Sequence, residues 1–148
     1  MNRILVIGFG NILRTDDGAG HKAVELLAKR LPEVDCIATH DLKPEFAELI
    51  TNYQAIIFID ASKDCQSIEH SKLTNIIDLG EYHSHTLTPE MLLSLSKKIY
   101  NAQPEFVYLI KIPAINFNLG DDISPLTKES INNCVNWVCR LIKEEIKI

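Results

Sequence analysis

The chain has 148 residues, 46% of them hydrophobic and 24% charged, with a formal net charge of -5 and a pI near 5.5. That length gives one domain, residues 1–148, with a sizeable core. The acidic balance argues against nucleic acid and membrane as partners and suits the binding of a cation. No run approaches the roughly 18 consecutive apolar residues of a membrane span.

Ile4–Ile7 is a continuous apolar run, the pattern of a parallel strand covered on both faces. Gly8 and Gly10 follow, so the chain can turn sharply or leave its backbone open to a ligand. Thr15, Asp16 and Asp17 then precede a helical pattern of Ala23, Val24, Leu27 and Leu31. Asp16 is assigned as the N-cap. Asp17, beside Gly18 and Gly20, is free for something to approach closely. Gly8-x-Gly10 is part of a dinucleotide fingerprint, but Leu13 stands at the third glycine position and two carboxylates occupy the helix mouth. Phosphate there is repelled, which argues against a nucleotide site. A signal peptide is also set aside: glycines and Asn11 break the apolar run, and no small-residue cleavage site precedes the acids.

Pro32 closes the first helix, and Val34–Thr39 is a second strand. His40–Glu45 connects it to a helix with Pro44 at N1 and Phe46, Leu49 and Ile50 facing inward. Ala55–Ile59 is the most hydrophobic run and ends on Asp60, with Ala61–Asp64 as a polar loop. Ile68–Thr74 gives a shorter, more polar strand toward an edge. A loop over Glu81–Leu87 leads to Thr88 as N-cap and Pro89 as N1 of a third helix, with Met91, Leu92, Leu95 and Ile99 inward. Phe106–Ile112 is a further strand. Gly120-Asp121-Asp122 and Ser124-Pro125 then precede a last helix carrying Ile131, Val135, Val138, Leu141 and Ile142 at helical spacing. Trp137 and Met91 are read as packing residues. The alternation predicts a three-layer α/β sandwich around a mostly parallel sheet, phosphorylase/hydrolase-like in kind.

Cys36, Cys65, Cys134 and Cys139 show no Cys-x-x-Cys spacing. Cys134 and Cys139 lie about 140° apart around a helix, so they share no ligand face. All are read as reduced thiols of a cytoplasmic protein.

Ligands of open α/β sheets sit beyond the carboxyl ends of the strands, where the topology reverses. Asp17 follows one of the two most apolar strands and Asp60 ends the other, while His85, with His83 before it, opens the loop toward the third helix. Two carboxylates and an imidazole make a ligand set for Zn, Ni or Fe with room for water or substrate. The carboxylates could instead share a proton and act as acid and base. On spacing alone these readings compete evenly with one in which Asp60 caps a loop and His85 is exposed.

GFGNILRTDDGAG, IIFIDAS, HSHTLTPEMLL and GDDISP together resemble the hydrogenase maturation proteases, which trim the large-subunit precursor of nickel–iron hydrogenases. The resemblance implies a twisted five-stranded sheet between helices, with Asp17, Asp60 and His85 on the family's metal-binding positions. It also implies removal of a C-terminal extension after nickel insertion, with the precursor's nickel as the recognition signal. The protease's own site would then be filled in the complex, or by another divalent metal in isolation. One stretch departs: THDLKPEFAE, Thr39–Glu48, is closer to a Gln-Leu-Thr-Pro-Glu type than to Asp-Gly-Gly-Thr, and Asp41 stands where that type has Gln. His40 and Asp41 are candidates for reading the precursor or for holding a loop. A metal-dependent chaperone that docks on the precursor without cutting it is the alternative function.

Overall fold

The computed structural model describes residues 3–73 and 87–146. The apolar runs form the middle of one sheet: β1 (Ile4–Phe9), β2 (Asp35–Thr39), β3 (Ala55–Ser62), β4 (Glu69–Lys72) and β5 (Phe106–Pro113), in the order β2-β1-β3-β5-β4. All pairings are parallel except that of the edge strand β4, which runs antiparallel to β5. Helices α1 (Ala19–Arg30), α2 (Phe46–Leu49), α3 (Pro89–Tyr100) and α4 (Pro125–Leu141) follow β1, β2, β4 and β5, while β3 leads to β4 with no helix between them.

Side-chain alternation along the strands divides the core into two. Ile4, Val6, Ile57, Ile59, Ile110 and Ile112 pack against α1 and α4. Leu5, Ile7, Ile56, Phe58, Val107 and Leu109 pack with residues of α2 and α3. Burial on both faces explains why these strands read as unbroken apolar runs. Trp137 packs at the margin of the first cluster and stacks on His70, with ring centroids 4.2 Å apart. Met91 packs against the second.

Thr88 caps α3 as expected, accepting the Met91 N–H at 3.1 Å, with Pro89 at N1. Three expectations are corrected. Ile99 is not inward but 59% exposed: residues 97–100 of the last turn of α3 are all exposed, while Ser96 is buried and donates to Ala47 O at 2.7 Å. Pro44 is not N1: the Phe46 and Ala47 N–H groups bond Lys43 O and Pro44 O, so a tight turn precedes the short α2. Asp60 does not end its strand. The β1–β3 ladder stops at Gly8↔Ile59, but β5 extends far enough to pair Asp60↔Lys111, Ala61↔Ile112 and Ser62↔Pro113. Asp60 is therefore the first β3 residue beyond the point where β1 turns away.

Candidate active site

The chain leaves β1 for β2 on one side and returns to β3 on the other, so the sheet's switch point lies between β1 and β3. Asp60 enters that crevice from β3, and the loop after β1 brings Asp17 to it. Burial first, and then the negative charge of Asp17, push the Asp60 carboxyl up to about 7. The Ala61 N–H and the ammonium of Lys111 oppose that rise. Two carboxylates near enough to perturb one another can divide a proton near neutral pH or hold a cation between them. The structure thus brings Asp17 and Asp60 together. His83 and His85 lie outside the described residues, and among the described residues no group of three His, Cys, Asp or Glu side chains is arranged to hold a metal.

The expected N-cap is corrected. Asp16 caps no helix; it is fully buried and reaches across to the loop after β5. Its Oδ2 accepts the N–H groups of Ile115 and Asn116, each at 2.9 Å, and its Oδ1 accepts that of Ser124 at 2.7 Å. Burial raises its carboxyl, but those backbone donors outweigh burial and hold the pKa below the ordinary value. Thr15 strengthens the same junction, donating its hydroxyl to Asn116 O and its N–H to Gly120 O at 2.8 Å, while Gly120 N–H bonds Leu13 O at 2.8 Å. Thr15 has a φ of 46°, unusual for a β-branched residue and maintained by these contacts.

The glycines beside the acids make room for the chain itself. A Cβ on Gly8 would stand 2.2 Å from Gly20 O, so α1 rests directly on β1. A Cβ on Gly10, whose φ is 147°, would stand 2.1 Å from the carbonyl oxygen of Asp17. What approaches Asp17 is thus backbone: Asn11 N–H donates to its Oδ2 at 2.7 Å.

His40 and Asp41 are exposed at the end of β2, and Gly10 N–H bonds the carbonyls of Thr39 and His40 at 3.1 and 3.2 Å. They flank the same loop as Asp17. Sequence reading missed Lys111, although a lone cation inside an apolar strand is a visible signal. It also missed His21, whose polar ring in the first turn of α1 bonds the loop after β1. No rival thiolate emerges from Cys36, Cys65 or Cys134: burial is the leading cause raising each thiol, Cys134 to about 12.

The welded loops also present Ile12, Leu13, Ile115 and Leu119 to solvent, at 54%, 66%, 68% and 75% exposure. Their backbones are held together by the Leu13–Gly120 and Asp16–Asn116 bonds, so these apolar side chains rim the edge that carries Asp17. No helix among the described residues is long and apolar enough to cross a membrane.

No family model and no curated protein matches the chain. Among solved structures, it is similar to the hydrogenase maturating endopeptidase HybD from E. coli, at 20% identity and a TM-score of 0.72, covering 96% of this chain and 93% of that one. It is also similar to the [NiFe] hydrogenase maturation protease HycI from Thermococcus kodakarensis, at 22% identity and a TM-score of 0.72, covering 97% and 94%. A hydrogenase 2 maturation peptidase from a Thaumarchaeota archaeon shares 24% identity at a TM-score of 0.71, covering 97% and 100%. The chain therefore has, over nearly its whole length, the α/β fold of the solved hydrogenase maturation proteases.

Proposed function

We propose that this chain is an endopeptidase that removes the C-terminal extension of a nickel-loaded nickel–iron hydrogenase large-subunit precursor. The observation that carries the reading is the placement of Asp60 beside Asp17 at the switch point of this fold, where burial and the Asp17 charge push its carboxyl up. The donor chemistry fits a divalent cation: two repelling carboxylates gain from a positive charge between them, and oxygen with imidazole nitrogen suits a metal such as nickel. Asp17, Asp60 and His85 are the ligands in this reading, and the nickel is cargo of the precursor. A metal held there would act as a Lewis acid on the scissile carbonyl and acidify water. The chain's own residues supply the rest. Asn11 N–H orients Asp17, and Asp60 can take up or release a proton near neutral pH. In this reading the exposed His40 and Asp41 at the end of β2 contact the precursor, and the apolar rim holds its polypeptide. A cytoplasmic setting goes with the four unpaired thiols.

The test incubates purified protein with nickel-loaded or nickel-free precursor, in chelator sufficient to strip loose metal. A shortened product from the loaded precursor is expected, lost in Asp17→Asn, Asp60→Asn and His85→Ala and reduced less by His83→Ala. Equal cleavage of nickel-free precursor overturns nickel recognition. Stable association without cleavage overturns the protease reading in favour of the chaperone.

A further inference from the structure

The Gly10–Asn11 peptide unit is bonded on both edges. On one edge, the Gly10 carbonyl accepts from His21 Nε2 at 3.0 Å, and the same nitrogen reaches Thr39 O at 2.9 Å. Both partners are carbonyl oxygens, so Nε2 carries the proton and donates to each. On the other edge, Asn11 N–H donates to Asp17 Oδ2 at 2.7 Å. We propose that His21 is a positioning residue for Asp17, acting through the Gly10–Asn11 peptide. The proposal rests on the reading of Asp17 as a site residue.

The peptide needs such a hold. Gly10, at a φ of 147°, lacks the side chain that restricts backbone rotation elsewhere. Turning this peptide over would direct its carbonyl oxygen at the Asp17 carboxylate and remove the N–H. His21 holds the carbonyl on the far side and polarises it, which makes the opposite N–H a better donor. Thr39 O also accepts from Gly10 N–H at 3.1 Å, so the end of β2 does not depend on His21 to satisfy that carbonyl. His21 supplies a fixed direction for one peptide plane, and through it for one carboxylate oxygen. Groups that orient a ligand from behind in this manner characteristically contribute about 10- to 100-fold in affinity or activity.

The experiment compares His21→Leu with His21→Gln in the full chain. Leu removes the donor, whereas the Gln side-chain amide can restore it. The readout is the Asn11 amide proton by NMR, shifted downfield by its bond to the carboxylate, alongside processing of nickel-loaded precursor. In His21→Leu the amide should move upfield and the processing rate fall about 10- to 100-fold. His21→Gln should recover most of both. Should His21→Leu fail to fold, His21→Phe makes the same comparison with an aromatic ring kept and the donor removed. An unmoved Asn11 amide in a folded donor-less variant overturns the proposal. So does undiminished processing by that variant when Asp17→Asn has lost it. The amide shift needs neither metal nor precursor, so it tests the hold of His21 on the peptide even if the chain proves not to be a protease.

Discussion

Asp16 Oδ1 accepts the backbone N–H of Ser124 at 2.7 Å, joining residues 108 apart in sequence. With Ile115 and Asn116 on the other oxygen, one buried carboxylate holds the loop after β1 to the loop after β5. Asp16→Ala leaves three amide donors unpaired and should destabilise by about 3 kcal/mol or more in denaturant titration. Asp16→Asn should cost less, since one oxygen remains. The folded pKa lies below the ordinary 3.8. The contribution is therefore full above that value and lost as pH falls through the folded pKa. The gap between wild type and Asp16→Asn should accordingly narrow in acid. A gap that is constant from neutral pH into acid would contradict this.

Asp60 has the opposite sign. Its folded pKa is about 7 against 3.8 unperturbed, so ionising it destabilises the metal-free fold increasingly as pH rises from 3.8 to about 7. In chelator, Asp60→Asn should match wild type in acid and exceed it above neutrality by on the order of 4 kcal/mol. Thermal melts across that range decide it: a variant less stable than wild type at alkaline pH would refute the shift.

Gly8→Ala and Gly10→Ala should both destabilise, but through different contacts. The Gly8 substitution pushes against Gly20 O and Val24, and so separates α1 from β1. Overpacking of that kind costs about 1–3 kcal/mol. The Gly10 substitution meets Asp17 O and a φ of 147°, so it should also impair processing. Equal stability of Gly8→Ala and wild type in urea would show that the helix can withdraw freely.

Leu13→Ser and Leu119→Ser lie on exposed positions of the welded loops. Each should change stability by no more than about 0.5 kcal/mol. If the rim holds the precursor, each raises KM for processing several-fold and leaves kcat nearly unchanged. An unchanged KM in the double variant would remove the rim from the docking surface.

The order of elements, the two-sided burial of β1, the hydrophobic run of β3, the polar edge strand and the Thr88 cap were legible in the sequence. Each depends on periodicity or on neighbours a few residues away. The placement of Asp17 and Asp60 toward the carboxyl end of the sheet followed from the same pattern, because acids that close an apolar run of a parallel strand have one edge to occupy, although β3 itself continues past Asp60. Tertiary structure decided the division of labour between Asp16 and Asp17. Locally both are carboxylates at a helix mouth, and what separates them is backbone: Ile115, Asn116 and Ser124 for one, Asn11 for the other. Backbone donors are the same in every residue but proline, so such bonds leave no mark in composition or spacing. The extension of β3 past Asp60, set by the length of β5, and the link from His21 to the Gly10 carbonyl were likewise decided by which segments the fold brings side by side.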